Sequence, residues 1–304
     1  MGHETSVVAS TPVTGRDLVE IIELALSRHL PQCRPHVTAL NDALRYSVFP
    51  GGKRLRPVLT VLGARIFEDR DCGSLDERVL RAACAVEFVH TSSLILDDMP
   101  CMDDAGLRRG NPALHLVYGE DAALLAGIAL LTKAYALFGH SPELILEATD
   151  CIGVDGMVGG QALDLCGEPG EATLAERNRK TSALMRLAAT AGALALGASR
   201  EETSPLAAFG QSLGQAYQIY DDMVDAGLSS ECTGKTAQQD SRHSRPSHAT
   251  SLDMTACFAE LAGLIEVSRE SLISAYGESE GVRGLMGFID GLFSSKLRGL
   301  PGRG

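Results

Sequence analysis

Residues 184–198 read LMRLAATAGALALGA, a stretch that is apolar on almost every side of a helix. A helix without a polar face must sit at the centre of its fold, with neighbours all round it. Apolar residues recur at helical spacing through nearly all of the remaining chain. Leu18, Ile21, Ile22, Leu24 and Leu26 mark a first amphipathic segment. Others follow at about 35–47, 53–68, 76–98, 120–138, 142–158, 172–198, 203–226, 252–275 and 280–296. Ala and Leu dominate, and alternating β-branched runs are almost missing, so no sheet is expected. Gly/Pro clusters at 50–52, 110–112 and 167–170 punctuate the helices. The pattern predicts an all-α fold: one large helical bundle over residues 15–304, around a central cavity or packed core. Residues 1–14 carry Ser, Thr and Pro without periodicity and read as a loose tail. The longest polar stretch, Ser229 to Ser251, reads as a loop.

Composition narrows the function classes. The chain is 45% hydrophobic and 22% charged, which is ordinary for a folded protein. Its formal charge of -12 would repel a nucleic-acid backbone, so no nucleic-acid partner is expected. No unbroken run of some 18 to 20 apolar residues is apparent, and the most apolar stretch, Ala122 to Leu131, stops at Thr132-Lys133. No transmembrane segment or secretory signal is therefore expected. Met1-Gly2 with Ser6 is a short match to a lipidation motif. The eight cysteines are scattered without a CxxC pair, which points to a reducing cytoplasm and no structural zinc.

Two acidic clusters carry the chemistry. Asp97-Asp98 is followed by Met-Pro-Cys-Met and then Asp103-Asp104; Asp221-Asp222 is followed by Met-Val and then Asp225. Each cluster ends an apolar helical run. Asp221 and Asp225, four apart, share one helix face, where like charges repel. Divalent cations would remove that repulsion. A donor set of carboxylate oxygens favours Mg2+ or Mn2+ over zinc. Mg2+ usually takes one or two carboxylates and completes its shell with water and phosphate oxygens, so two such clusters suggest a diphosphate clamped between metals. One such motif alone would more often be solvated surface; two, each closing an apolar helix, make that reading weak.

Basic residues flank these clusters in an otherwise acidic protein. Pro50-Gly-Gly-Lys53-Arg54-Leu-Arg56-Pro57 opens a helix, where free N–H groups suit an anion, and Lys53 and Arg56 project from one side. Arg108 and Arg109 follow the first aspartates; Lys180, beside Thr181, and Lys235 are single candidates. These are candidate phosphate sites, Arg as a forked donor and Lys as a point charge. Val79, Ala83, Val86, His90, Ser93 and Asp97 step by four and three, one stripe leading to the carboxylates. His90 can thus be read as a ligand as well as a plain core histidine.

Together these residues resemble the trans-isoprenyl diphosphate synthase family, and most of all its bacterial geranylgeranyl diphosphate synthases. The resemblance spans about residues 18 to 295. It rests on GGKRLRP (51–57), EFVHTSSLILDDMPCMDDAGLRRGNPALH (87–115), GGQALDL (159–165), Lys180-Thr181, QIYDDMVD (218–225) and Gly234-Lys235. It implies an isoprenoid synthase type of bundle, a homodimer, and condensation of isopentenyl diphosphate with allylic diphosphates. It also implies about three Mg2+ ions held by Asp97, Asp103 and Asp221, with Asp98, Asp222 and Asp225 in support. Lys53, Arg56, His90 and Arg109 would bind isopentenyl diphosphate, and Arg108, Lys180 and Lys235 the allylic diphosphate. Gln218 and Thr181 would face the carbocation, with Gln161 and Asp164 lining the same cavity.

One stretch departs from the family pattern: Gly234-Lys235-Thr236-Ala-Gln-Gln239-Asp240-Ser-Arg242-His243 replaces the usual acidic residue by Thr236 and the later lysine by His243. Product length is read from the residues before Asp97. Ser92 and Ser93 are small, where relatives that stop at fifteen carbons usually carry an aromatic, so a longer product, geranylgeranyl diphosphate, is expected. Phe88 and Val89 would form the floor, and Ser92→Phe would shorten the product. Three rivals stay open. A farnesyl diphosphate synthase differs in product size. A low-activity regulatory subunit differs in lacking activity alone. A class I terpene cyclase differs in needing no isopentenyl diphosphate.

Overall fold

The computed structural model describes residues 15–34, 37–49, 52–68, 75–166, 179–227 and 254–297. The tail at 1–14, Lys235 and the stretch Thr236–His243 lie outside them. In chain order the helices are α1 (Gly15–His29), α2 (Thr38–Val48), α3 (Leu55–Ala64) and α4 (Glu77–Asp97). After a small hairpin, β1 (Leu107–Arg108) and β2 (Asn111–Pro112), come α5 (Leu114–Tyr118), α6 (Glu120–Phe138), α7 (Pro142–Ile152) and α8 (Met157–Cys166). Then follow α9 (Arg179–Leu196), α10 (Ser204–Gly227), α11 (Met254–Tyr276) and α12 (Glu280–Leu297). The fold is all-α, as the periodicity predicts.

Helix α9 occupies the position its all-round apolar sequence demands. It packs against α3, α4, α7, α8 and α10, and it buries every residue from Ser182 to Ala195 except Arg186. Each fully buried leucine, such as Leu187, contributes about 1.5–3 kcal/mol. Arg186 is tolerated because its guanidinium meets Glu147 of α7 twice, at 2.7 and 2.9 Å. The described helices share one apolar core.

Helix starts follow local chemistry. Asp76 accepts from Arg78 N–H at 2.7 Å to cap α4, and Ser141 accepts from Leu144 N–H to cap α7 ahead of Pro142. Two features differ from the sequence expectation. The segment at 142–158 breaks after Ile152, where Gly153 turns extended, and α8 starts afresh at Met157. A hairpin occurs where no strand is expected. Arg109 and Gly110 both have positive φ (54° and 78°), the conformation of a two-residue hairpin turn, and Leu107 pairs with Pro112. Helices α4 and α6 reach the length and mean apolarity of a membrane span by composition alone. For α4 this reflects burial: it is sandwiched among α1, α3, α6 and α9.

Candidate active site

The first aspartate cluster forms as α4 ends. Asp97 is its last residue, and the chain then folds back so that Asp103 N–H donates to Asp97 O at 3.0 Å. Ala105 N–H likewise returns to Asp98 O at 3.2 Å. The Met-Pro-Cys-Met spacer thus returns Asp103 beside Asp97. Burial pushes the Asp97 carboxyl up to about 6; Lys180 and Arg108 pull it down, and Asp103 and Asp98 push it further up. A half-buried carboxylate that resists ionisation beside two other carboxylates is a poor arrangement for folding alone and suits a bound cation. Asp98 differs. It is 3% exposed, and both its oxygens accept from Arg108 Nε at 3.0 Å, so its carboxylate is taken up in holding Arg108.

Lys180, on the first turn of α9, acts electrostatically on Asp97 and forms an ion pair with Asp164 of α8. Its Nζ also donates to Gln161 Oε1 at 3.2 Å, while Gln161 Nε2 is buried with no partner among the described residues. Next to it, Thr181 Oγ1 donates to Gln218 Oε1 at 3.0 Å, and Gln218 Nε2 donates to Asp222 Oδ1 at 2.8 Å. Asp222 is therefore a brace for Gln218 and lies 5% exposed. Asp221, its neighbour on α10, acts on Tyr217 and on Arg56 of α3. Asp225 lies one turn further along the helix, and its side chain falls outside the described ones.

Arg56 closes the ring. It lies in the first turn of α3, and its Nη1 donates to His90 Nε2 of α4 at 3.2 Å. Arginine only donates, so the ring proton of His90 is on Nδ1. Burial, then Arg56 and Arg109, hold this imidazole neutral, far below its ordinary value. Arg109 reaches in from the hairpin turn to Glu87 at 3.6 Å. Arg56 Nε and Arg109 Nη1 are both buried with no hydrogen-bond partner among the described residues. Buried unmatched donors on two guanidiniums are what an anion site looks like before its ligand arrives. Lys53 is exposed and precedes α3, so the helical-spacing argument that pairs it with Arg56 does not hold.

Arg56, His90 and Arg109 form a cationic side, and Asp97 with Asp103, and Asp221, form two acidic walls: Asp221 acts on Arg56, and Lys180 and Arg108 act on Asp97. Helix α3, which carries Arg56, packs against α4 and α9. Among the described residues no three His, Cys, Asp or Glu side chains cluster tightly enough to cage a metal unaided. A neighbouring crevice, lined by Tyr46, Thr91, Leu94, Ile95, Arg109 and Leu114, adjoins the cationic side but includes neither Asp97 nor Asp221.

The two serines before Asp97 separate. Ser92 is 2% exposed, and its Oγ donates to Gly127 O of α6 at 2.8 Å. Phe88, four residues earlier on the same side of α4, is fully buried. Ser93 is half-buried and shares the Asp97 stripe; its Oγ donates back to His90 O at 2.9 Å. Val89, four residues before Ser93, continues that stripe in the core.

Sequence reasoning missed Glu87, Arg54 and Tyr217. Tyr217 has a local signal, four residues before Asp221 on one helix face. For Glu87 and Arg54, 33 residues apart in sequence, none exists.

A family description, Polyprenyl synthetase, matches residues 37–272. "Geranylgeranyl pyrophosphate synthase 12, chloroplastic" of Arabidopsis thaliana is 40% identical over 241 residues, covering 73% of this chain and 64% of that protein. The chain thus spans less than two thirds of that relative. The geranylgeranyl diphosphate synthase of Cyanophora paradoxa is 33% identical over 268 residues, 84% of this chain and 87% of that one. Among solved structures, the Helicobacter pylori geranyltransferase complexed with magnesium and isoprenyl diphosphate superposes with a TM-score of 0.82 at 29% identity. That match covers 94% of this chain and 99% of the other.

Proposed function

The chain belongs to the polyprenyl synthetase family, and from that premise we propose that it is a short-chain prenyltransferase making geranylgeranyl diphosphate. It would join isopentenyl diphosphate to an allylic diphosphate. The observation that carries this reading is that acidic walls at Asp97 and Asp221 accompany unmatched guanidinium donors on Arg56 and Arg109, with Asp221 acting directly on Arg56. A cyclase needs only the acidic half.

In this reading Arg56, Arg109 and neutral His90 hold the isopentenyl diphosphate, with Lys53 at the rim. Lys180 and Arg108 bind the allylic diphosphate. Magnesium, when bound, would be held by Asp97 and Asp103 from one wall and Asp221 from the other, and supplies positive charge to the departing diphosphate oxygens. The allylic C–O bond breaks and the diphosphate leaves with the electron pair. Thr181 and Gln218, oriented by Asp222, present oxygen lone pairs towards the allylic cation. The double bond of isopentenyl diphosphate attacks C1 of that cation. The proton lost from C2 of the former isopentenyl unit passes to the leaving diphosphate and restores a double bond, so no protein base is needed.

Incubation with labelled isopentenyl diphosphate, each of three allylic primers, and Mg2+ or EDTA tests this. A twenty-carbon product in Mg2+, and none in EDTA, is the expected result. Consumption of a primer without isopentenyl diphosphate would indicate a cyclase, and a fifteen-carbon end product a farnesyl synthase. Product length is tested separately. Ser93→Phe, on the Asp97 stripe, should shorten the product by one isoprene unit on chromatography. Ser92→Phe should mainly lower the melting temperature by several degrees, because its hydroxyl sits in the α4–α6 contact and added bulk there costs about 1–3 kcal/mol. If instead Ser92→Phe shortens the product and Ser93→Phe does not, the wall lies on the α6 side.

The α6 surface supports a homodimer. Leu124, Leu125 and Ile128 are 42–57% exposed on one helix, with Leu116 and Val117 of α5 beside them. So large an apolar patch on a folded surface marks an interaction face. Cys33, Cys84, Cys101, Cys151 and Cys257 are free thiols, which supports a reducing compartment such as the cytoplasm.

A further inference from the structure

Glu87 is a carboxylate in the middle of α4, 2% exposed, ten residues before Asp97 and assigned no part in the chemistry above. Its Oε1 accepts from Arg54 Nη1 at 2.6 Å and lies 3.6 Å from Arg109 Nη2. A buried carboxylate costs stability unless it is matched, and here it is matched by two guanidiniums of different standing. Arg54 is fixed. Its Nε and Nη2 donate to Glu23, at 2.6 and 3.2 Å, and Nη2 donates to Val48 O at 2.9 Å, so its position is set without Glu87. Arg109 stands on a two-residue turn, and Glu87 is the one acidic partner the structure gives its guanidinium among the described residues.

We infer that Glu87 is a positioning residue for the isopentenyl diphosphate site. Anchored by Arg54, it holds Arg109 by one guanidinium nitrogen and leaves the other, Nη1, unmatched for the diphosphate. Glu87 also counters the mutual repulsion of Arg109 with its neighbours Arg54 and Arg56. It touches no substrate and acts through Arg109. The inference rests on the proposed function, since it names how that site's second diphosphate pocket is built.

A double-mutant cycle tests it on the purified full chain, with KM measured for each substrate. Glu87→Gln should raise KM for isopentenyl diphosphate about tenfold, with KM for the allylic primer changed less than about twofold. Arg109→Gln should raise the same KM by at least as much. The double variant should match Arg109→Gln alone within about twofold, because a residue that acts through another has nothing left to act on. Glu23→Gln loosens Arg54, and through it Glu87, so it should lower the melting temperature and raise KM for isopentenyl diphosphate by less than Glu87→Gln does, with KM for the primer unchanged. If Glu87→Gln does not fold, Glu87→Asp, with its carboxylate withdrawn by one methylene, carries the same cycle. Multiplying effects of the two substitutions, or a parallel rise in both KM values, would overturn the inference. A wild-type chain that consumes no isopentenyl diphosphate would instead sink the functional reading on which it rests.

Discussion

Asp97→Asn lowers turnover by about a thousandfold and, in the same protein, raises the melting temperature in metal-free buffer. The first half follows from the proposed role: removing one preorganised electrostatic partner of a transition state typically costs 10²–10³ in rate, and about the upper end is expected where the partner holds a metal. The second half follows from the site's own electrostatics. Burial, with Asp103 and Asp98 nearby, places the Asp97 carboxyl at about 6 in the folded chain, against 3.8 ordinarily. The folded protein thus binds this proton more tightly than the unfolded one. Stability is fully present below about pH 4 and is lost as pH rises through about 6. Asparagine carries no such charge, so its advantage should grow between those values and then level off. The shift corresponds to about 1–3 kcal/mol at neutral pH. Adding Mg2+ with inorganic pyrophosphate should stabilise the wild type and close the gap. Melting curves at pH 4, 6 and 8 with EDTA, beside a turnover assay, measure both halves. Equal stability at every pH would mean that Asp97 is not crowded as the structure has it. Normal turnover would remove it from the chemistry.

What could be read from the sequence was whatever is local. Helix α4 runs over 77–97 against an expected 76–98, because its periodicity and its Asp76 cap are written within a few residues. The stripe from His90 to Asp97 lies within one helix, so counting by three and four finds it. The central place of α9 follows from its lack of a polar face. Long-range pairing leaves no such trace. Nothing in GGKRLRP distinguishes Arg54, buried at 2% with a left-handed backbone, from its exposed neighbour Lys53. The scaffold role of Arg54 shows only once Glu23 and Glu87, supplied by α1 and α4, are seen to take it. Asp98 is similar: beside Asp97 in sequence it reads as a second metal ligand, yet the hairpin brings Arg108 onto it. The two serines were alike on paper, and the bond to Gly127 tells them apart. The hairpin itself escaped because two-residue strands are too short to show alternation.

Gly192→Ala should be among the most damaging single-methyl additions in the chain. Helices α3 and α9 cross with their backbones nearly touching. A Cβ at Gly192 would lie 2.1 Å from Thr60 O and 2.9 Å from Ala64 Cβ, and one at Gly63 would lie 2.1 Å from Ala189 O. The obstacles are carbonyl oxygens, which cannot swing aside as a side chain could, so the helices must separate. Overpacking of this kind costs about 3 kcal/mol or more. In a chain of this size that is about 6 °C or more in melting temperature. The cost reaches the site as well. Arg56 stands at the start of α3, with its carbonyl bonded by Thr60 Oγ1 at 3.1 Å, and Lys180 and Thr181 stand at the start of α9. Spreading the crossing moves the cationic side away from the acidic walls, so KM should rise for both substrates together, unlike the one-sided effect expected for Glu87→Gln. Gly263→Ala provides the contrast: it lies within α11 with nothing within 4 Å of its would-be Cβ. There the gain in helix propensity should leave stability unchanged or raise it by up to about 1 kcal/mol. If Gly192→Ala melts with Gly263→Ala and the wild type, the two helices do not approach this closely, and the crossing that sets Arg56 opposite Asp221 would have to be redrawn.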